Sequence, residues 1–471
     1  MEERIYTKTT NRPSILQRIG SSAAKLSQEV VPSPFVFAIV LSAVVFALGI
    51  FLTDSTPYNM LEHWYSGFWN LLSFGMQVVV TLLFGYILAT SPPFQTGISR
   101  LAKISKNAGQ VIMMVSFLAI IFGIINWAVG LIVGAIAAKQ LCEHASLRGI
   151  KVHYPLAAAA GFSALLLNVV FSASAPLLSN TEGHFLQEKI GLIPVSETIL
   201  SPYSIIMVIA FLIVIPFVCR AMMPKDEDIV EVPLSHNAND SDHDLSPDKI
   251  KEKNPSKNKK TFADILENSR ILTAIPVLAG TIYIVIFFID RGFDLNLNIV
   301  NFILLILGLV AYKTPIAYAH AIDNGIKSCG QVVLQFPFYA GIMGMMAGSG
   351  LVTVASQWMV SIATPATFPF ITLLSAGIVN LFVPSAGGQW AVQGPILIEA
   401  ALELNVDIGL TIMAFTYGDQ LTNGLQPMWM LPLLGIVALK AKDILGYTAV
   451  MMMFAFVIFA VGLTVLPHLF A

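Results

Sequence analysis

Charged residues are scarce in this chain of 471 residues, since only 11% are Asp, Glu, Lys or Arg and 56% are hydrophobic. A soluble protein carries about 25% charged residues. Of the 54 charged residues, 8 lie in 1–34 and 19 in 222–270, so half of the charge is confined to two short stretches. This distribution excludes nucleic-acid binding and a disordered chain, and it predicts a protein that crosses the lipid bilayer many times.

Cysteine pairs and enzyme motifs are also missing. The three cysteines, Cys142, Cys219 and Cys329, form no CxxC, so neither a disulfide framework nor a zinc site is indicated. The chain has no Walker motif, no HExxH and no paired carboxylates in a predicted span, which argues against direct use of ATP and against an intramembrane enzyme. We therefore expect no enzymatic activity and no cofactor.

Apolar runs of bilayer-spanning length occur seven times. They are 35–52, 68–90, 203–221, 271–289, 297–312, 332–347 and 446–466. Two further stretches, 154–180 and 408–439, are long enough to cross but contain Ser, Gly, Asn and Pro, so we interpret them as broken helices. Unbroken apolar runs exclude a β-barrel, whose strands would alternate. The sequence predicts an all-α polytopic membrane protein with about ten crossings, two of them broken helices.

Two apolar segments, 110–138 and 366–397, do not fit simple crossings. The first has Lys and Arg on both flanks, so both of its ends should lie on the same side and it must cross an even number of times. Two spans need roughly forty residues, and this segment has only about thirty. The second has Pro, Ser and Gly at its centre and an acidic exit. Both are predicted as re-entrant hairpins that enter from opposite sides. Their tips should face a binding site, because irregular backbone at membrane depth is tolerated only inside protein or beside water.

The placement of Lys and Arg in short loops predicts a cytoplasmic N-terminus. In this orientation only Lys189 and Arg291 lie outside, where the loops are otherwise acidic. The chain then divides into four parts. They are a cytoplasmic segment 1–34, a first transmembrane repeat 35–221 with hairpin 110–138, a cytoplasmic linker 222–270, and 271–471, an extra helix followed by the second repeat with hairpin 366–397.

An internal repeat supports this division. Residues 124–129 resemble 378–383 at an offset of 254, and the same offset places 77–79 on 331–333. One register held over about sixty residues indicates duplication rather than chance. With the predicted orientation the two copies enter the membrane from opposite sides, which is the inverted repeat of many secondary transporters.

The hairpin tips supply the predicted substrate site, because helix N-termini and small residues let an anion approach the backbone. The alternative is that the small residues serve tight helix packing. The predicted substrate-binding residues are Asn126, Gly130 and Gly134 in the first hairpin and Asn380, Ser385, Gly387, Gly388 and Gln389 in the second.

Asp419, in the second broken helix, is the one ionisable residue predicted well inside a span, and such groups are functional candidates. It could carry a proton or help to hold sodium, and a helix cap or a structural hydrogen bond is the alternative. No other metal is indicated. The predicted coupling-ion residues are Asp419, Gln420, Asn423 and Gln426, together with Ser172 and Ser174 in the first broken helix.

Five segments of the chain resemble the bacterial short-chain fatty acid transporter family. They are 67–77, 125–135, 335–341, 383–395, and 417–420 with Gln426-Pro427. The resemblance extends over about 35–466 and includes the linker. It implies uptake of small monocarboxylates such as acetoacetate or butyrate across the inner membrane, by an elevator-like carrier of the ion-transporter superfamily. In that superfamily Asn-containing hairpin tips help to bind substrate and coupling ion, which corresponds here to Asn126 and Asn380.

The sequence therefore predicts a secondary transporter for short-chain monocarboxylates, driven by proton or sodium symport. A carrier or exchanger for another small organic anion is the alternative within this class, and a channel or an intramembrane enzyme is the alternative outside it. The expected partners are the monocarboxylate and the lipid bilayer, with no nucleic acid. A homodimer is the assembly we consider.

Overall fold

The computed structural model describes residues 34–101, 104–167, 171, 174–233, 261–292, 295–326, 329–381 and 386–470. In these ranges the regular structure is helical and no strand occurs. The all-α fold predicted from the sequence is confirmed.

The first half contains ten α-helices in its described residues. They are α1 (Pro34–Leu52), α2 (Pro57–Gly67), α3 (Leu72–Ala89), α4 (Pro92–Leu101), α5 (Ala108–Ile125), α6 (Trp127–Ser146), α7 (Tyr154–Gly161), α8 (Ser174–Ser179), α9 (Gln187–Ile190) and α10 (Pro202–Ala221). A 3₁₀ turn, Phe162–Leu166, continues α7, and a second, Asp226–Asp228, follows α10.

The described residues of the second half form twelve more. They are α11 (Phe262–Glu267), α12 (Arg270–Arg291), α13 (Leu297–Tyr312), α14 (Pro315–Gly325), α15 (Gly330–Ser349), α16 (Leu351–Ile362), α17 (Phe368–Asn380), α18 (Ala386–Leu404), α19 (Ile408–Leu421), α20 (Pro427–Val437), α21 (Ala441–Val465) and α22 (Pro467–Phe470). A 3₁₀ turn, Thr422–Leu425, continues α19.

All seven predicted spans are helical, and both predicted broken helices are broken. By length and composition, six helices of the described chain can cross a membrane alone: α3, α5, α6, α10, α12 and α21. Helices α15 and α16 form a further, bent pair with an angle of 84° between them. Gly350 lies at the bend with φ +82°, a conformation that glycine adopts without strain. Shorter apolar helices lie in α1, α7, α13 and α17.

Polar caps and prolines set the helix boundaries. The Asn107 side chain accepts a hydrogen bond from Gln110 N (2.9 Å) and starts α5, and Asp407 does the same for α19 through Leu410 N (2.6 Å). The second break falls directly before Pro427, and Gln426 has the extended conformation that a residue before proline prefers. Short side-chain caps therefore begin helices, while proline helps to fix where the broken helix resumes.

The first hairpin is longer than predicted. Helices α5 and α6 pack against each other along their length and turn at Asn126, but they extend over 108–146 rather than 110–138. Helix α6 continues through Lys139, because a charged side chain does not end a helix. Arms of 18 and 20 residues measure about 27 and 30 Å. Each arm can therefore span a bilayer, contrary to the length argument, and the re-entrant depth stays a prediction.

The order of elements repeats along the chain. Each half contains a long helix (α3 or α15), a shorter helix, a helical hairpin and a broken helix, followed by a long helix (α10 or α21). This is the order expected of two repeats. The opposite orientation of the two copies stays a prediction.

The first helix of each predicted repeat, α1 or α13, packs against the other half. Helix α1 of the first half packs against α15 of the second, and α13 of the second half packs against α3 of the first. Phe35 and Phe338 make an edge-to-face ring contact at 5.2 Å in the first of these interfaces. Each half thus completes the packing of the other.

Candidate functional site

The two broken helices meet at their breaks. The Asn423 side chain, in the 3₁₀ turn after α19, donates to the Leu165 carbonyl in the 3₁₀ turn after α7 (3.3 Å). Gly424 lies against Leu166, and a Cβ on Gly424 would lie 3.1 Å from the Leu166 side chain. A helix interruption frees backbone groups from their intrahelical partners. Two such interruptions in contact concentrate polar backbone inside an apolar protein.

Each hairpin tip touches one break. At the first tip, Phe171 N donates to the Ile124 carbonyl (3.0 Å). At the second, the Asn380 side chain donates to Thr422 Oγ1 (2.9 Å) and Asn423 Oδ1 (3.0 Å), and the Asn380 carbonyl accepts from Gln426 Nε2 (2.5 Å). Asn380 is only 1% exposed. The structure therefore brings Asn380, predicted for the substrate, into direct contact with Asn423 and Gln426, predicted for the coupling ion.

Three further predicted residues of the second hairpin, Gly387, Gly388 and Gln389, are buried in α18. Gln389 donates to the Ala376 carbonyl (2.8 Å) and to Gln393 Oε1 (3.0 Å), and so joins the two arms near the tip. Gly387 lies between two aromatic rings, because a Cβ there would be 2.9 Å from Phe74 and 3.1 Å from Phe336. Gly388 is also buried. Ser385 lies outside the described residues.

Asn126 organises the first hairpin tip. Its Oδ1 accepts from Ala128 N (2.9 Å) and Val129 N (3.2 Å) and so caps α6, while its Nδ2 donates to the Thr81 carbonyl of α3 (3.3 Å). The amide fits against Gly85, where any side chain would collide with it. Asn126 thus serves as a cap and as a contact to the neighbouring helix.

Gly130 and Gly134 lie in close helix contacts. A Cβ on Gly130 would be 2.5 Å from the Gly123 backbone on the other arm, and one on Gly134 would collide with the Gly161 carbonyl of α7. This is the packing that the sequence left as the alternative reading of small residues. Substrate binding at these two positions stays a prediction.

A polar ladder connects Asn126 to the first turn of α13. Thr81 Oγ1 donates to Asn301 Oδ1 (2.6 Å), Asn301 Nδ2 donates to the Gln77 carbonyl (2.9 Å), and Gln77 Nε2 donates to Asn298 Oδ1 (2.8 Å). Each member lies on α3 or α13 except Asn126. The sequence analysis missed Thr81, Asn301 and Asn298, although Gln77 belongs to the repeat match.

Asp419 is the only Asp, Glu, Lys or Arg among the described residues whose side chain is buried, at 3% exposure. It lies inside α19 and not at a helix N-cap, and its Oδ1 has no hydrogen-bond partner among the described residues. The backbone of the adjacent Gly418 packs so closely on α17 that a Cβ would collide with the Leu373 carbonyl. The helix-cap interpretation of Asp419 is therefore wrong.

Two more buried oxygens near this hairpin lack partners in the described part of the chain. They are Gln389 Oε1 and Gln426 Oε1, and both residues use their Nε2 atoms to bond backbone carbonyls of α17. Unpaired buried acceptors are costly unless a donor or a cation reaches them. Oxygen atoms are also the ligands that hard cations prefer. Asp419 can therefore accept a proton, and the two amide oxygens are of the type that binds sodium.

The other predicted coupling residues are divided between the two breaks. Gln420, like Asp419, is buried in α19. Ser174 lines a void of about 20 Å³ together with Thr81 and Trp127. This volume admits about one water molecule, so the described conformation leaves no room there for a four-carbon acid. Ser172 lies outside the described residues.

The sequence analysis did not assign Trp429 to the site. Its ring meets Trp127 of the first hairpin tip edge to face, with 5.4 Å between centroids. Its Nε1 is buried and has no partner among the described residues. An indole N–H only donates, which suits a carboxylate. Its position could have indicated a site residue, because Trp429 lies two residues after Pro427, where the broken helix resumes.

Comparison with known proteins identifies the family. A sequence profile described as short chain fatty acid transporter matches residues 15–466. The chain belongs to the short-chain fatty acid transporter family. A relative from Escherichia coli (strain K12), named for short-chain fatty acid transport, is 37% identical over 451 residues, which cover 96% of this chain and 100% of the relative. One from Haemophilus influenzae, named in the same way, is 36% identical over 457 residues, or 95% and 99% of the two chains.

Solved structures show the same fold in transporters of low sequence identity. Neisseria gonorrhoeae MtrF, described with a class of antimetabolite efflux pumps, has a TM-score of 0.56 at 15% identity and covers 94% of this chain and 97% of its own. The YdaH transporter of Alcanivorax borkumensis has a TM-score of 0.53 at 14% identity, with 92% and 97% covered. This family member is therefore a multi-pass membrane protein with a transporter fold.

Proposed function

We propose that the protein is a secondary transporter that takes up short-chain monocarboxylates, such as acetoacetate or butyrate, across the bacterial inner membrane by symport with a proton or sodium. Membership of the family over nearly the whole chain supports the substrate class. The observation that carries the coupling is Asp419, a buried carboxylate with a partnerless oxygen beside the second break.

The charge balance of the cycle explains why a cation would be needed. An ionised carboxylate buried without a partner costs several kcal/mol, and the acid itself brings a second negative charge. A proton or sodium ion at Asp419 neutralises one of them. Substrate and cation would then enter together, because each lowers the electrostatic cost of the other.

The substrate carboxylate requires donors rather than acceptors. Trp429 has a buried indole N–H without a partner among the described residues, and its ring contacts Trp127 of the first hairpin tip, which provides an apolar wall. The cation-binding oxygens lie at the second hairpin, so the two ligands would use different sides of the paired breaks. The small void near Trp127 supports a cycle in which the hairpin and break must move before an acid of four carbons fits.

The loops cluster at two ends in a way that agrees with the proposed orientation. Lys189 pairs with Glu399, and Glu197 lies against Gly409, so the acidic loops share one end. At another end Tyr154 OH bonds the Val437 carbonyl (3.0 Å), and both lie beside Lys- and Arg-rich connections. We propose that the basic end, with the N-terminus, is cytoplasmic.

Uptake of radiolabelled butyrate into proteoliposomes tests the proposal. Imposed inward pH and sodium gradients should each be applied alone, with protein-free liposomes as the control, because the neutral acid crosses lipid unaided. We expect initial uptake faster than in the control under one gradient, inhibition by unlabelled acetoacetate, and no inhibition by a neutral amino acid. Equal uptake with and without protein would reject the function. Exchange of preloaded substrate without net accumulation would favour the exchanger.

A further inference from the structure

A cavity with both polar and aromatic lining residues lies away from the breaks, at the end that carries the acidic loops. It has a volume of about 380 Å³ and is bounded by α12, α13, residues 180–182 and Leu192. This volume is in the range of small-molecule sites. Arg291, the last residue of α12, supplies the positive charge of its lining, and Glu182 supplies the negative charge.

The Arg291 guanidinium is positioned and available. Its central carbon lies 5.6 Å from the centre of the Phe287 ring, a distance at which a cation–π contact holds the group in place. No carboxylate of the described residues is within ion-pair distance of it. A guanidinium in this situation can bind a carboxylate with two parallel hydrogen bonds.

The wall beside Arg291 is aromatic. Tyr283 and Phe302 meet edge to face at 6.0 Å, and Tyr283 also contacts Phe287 at 6.4 Å. One cation next to an apolar wall matches a molecule with one carboxylate and a short alkyl chain. The surrounding acidic loops would repel such an anion, and the positive charge of Arg291 would offset this repulsion locally.

The polar ladder begins at this cavity. Asn298, which lines it, bonds Gln77 of α3, and the ladder continues through Asn301 and Thr81 to Asn126 at the first hairpin tip. The cavity floor and the candidate site are thus joined by one set of hydrogen bonds across the α3–α13 interface. A ligand that settles on α13 lies at the outer end of the same interface.

We propose that this cavity is an outer docking site for the short-chain carboxylate, with the carboxylate on Arg291 and the alkyl chain on the aromatic wall, occupied before the acid reaches the breaks. The inference rests on the proposed function. It adds a second, external binding step to uptake and assigns it to residues outside both repeat hairpins.

Kinetics of butyrate uptake by reconstituted variants tests the docking site. Arg291→Gln should raise KM for external butyrate about five- to tenfold and leave the maximal rate unchanged, because saturating substrate bypasses a capture step. Glu182→Gln, which removes the negative charge of the same lining, should lower KM. Lys189→Gln is the matched control, since Lys189 is the other predicted external cation but pairs with Glu399 and does not line the cavity.

Each outcome decides the inference. An unchanged KM in Arg291→Gln, or an equal rise in Lys189→Gln, would reject the docking site while wild-type uptake keeps the proposed function. Loss of uptake by wild type would reject the proposed function itself. An effect of Arg291→Gln that appears in liposomes with anionic lipid but not in pure phosphatidylcholine would assign the cavity to a lipid headgroup and overturn the proposal. A normal elution profile in detergent excludes misfolding as the cause.

Discussion

Replacing Asp419 by Asn tests the coupling mechanism most directly. The substitution removes the one buried carboxylate of the described chain and keeps the size and shape of the side chain. Because Asp419 Oδ1 has no partner among the described residues, the amide breaks no hydrogen bond of that atom. We therefore expect the Asn variant to fold, with a melting temperature equal to or above that of wild type.

The expected loss of accumulation follows from the charge count. One carboxylate substrate and one cation move as a neutral pair, so the membrane potential adds nothing to the driving force. A tenfold gradient of the coupling ion is worth about 1.4 kcal/mol, and it supports at most about tenfold accumulation of the acid at one ion per cycle. Without the charge at Asp419 this ratio should fall to that of protein-free liposomes, while exchange of preloaded butyrate continues.

Accumulation and exchange are measured side by side in the same proteoliposomes. If Asp419 carries the proton, the Asn variant loses accumulation under a pH gradient. If it binds sodium, the sodium dependence weakens and any pH response persists. Wild-type accumulation by the Asn variant would refute both roles and leave the buried carboxylate without a function in transport.

Three further predictions concern other parts of the molecule. Asn380→Ala leaves Thr422 and Asn423 without their donor, at about 1–3 kcal/mol each, and should lower uptake at least tenfold while the protein stays in the membrane; normal uptake would make the tip scaffolding. Cysteines at 54 and 407 should react with an impermeant thiol reagent in intact cells and ones in 237–248 should not, with little background because the native cysteines are buried; linker labelling would contradict the orientation. Burial lowers the pKa of His153 to about 4, so this ring is neutral when it accepts from Val230 N. The protection factors of the amides at 229–231, which correct for the slower intrinsic exchange at low pH, should therefore fall as pH decreases from 6.5 towards 4, where the charged ring no longer accepts; equal protection factors at pH 7 and pH 4 would contradict this.

The His153 prediction follows from the sign of the pKa shift. The unfolded chain binds a proton at about pH 6.5, whereas the folded one does so at about pH 4, so acidification between these values favours release of the ring. Asp228 opposes the shift through its charge, and Tyr447 OH contacts the other ring nitrogen at 3.1 Å. His153→Gln, which cannot titrate, is the matched control and should abolish the pH dependence.

Hydropathy predicted the long helices because twenty apolar residues have few alternatives in a membrane protein. It missed α2, α14 and α16, which are short and mix apolar with polar residues, so no run of spanning length marks them. The breaks were predictable because Asn, Gln and Pro interrupt an otherwise apolar helix. Their mutual contact through Asn423 and Leu165 was not, since a tertiary hydrogen bond leaves no local pattern in the sequence.

In the site, too, some residues could be predicted from the local sequence, whereas the roles of others depend on tertiary contacts. Asp419 and Asn380 were predictable from their polarity in an apolar environment, and the structure places Asn380 beside the second break. Sequence alone did not distinguish Gly130 and Gly134 as packing residues, because a glycine that admits a ligand and a glycine that admits a helix look alike. Trp429 was missed because its unpartnered N–H depends on the fold around it.

The packing of α1 and α13 against the other half has a consequence for how the protein can be assembled. A chain cut within 234–260 would give two fragments, each lacking the main partner of one of its helices, since α1 packs against α15 and α13 against α3. Neither fragment would be a self-sufficient membrane protein, yet the pair would contain every contact of the intact chain. The gene could therefore be divided into two cistrons only if both products entered the same bilayer together. The two repeats thus depend on each other for folding.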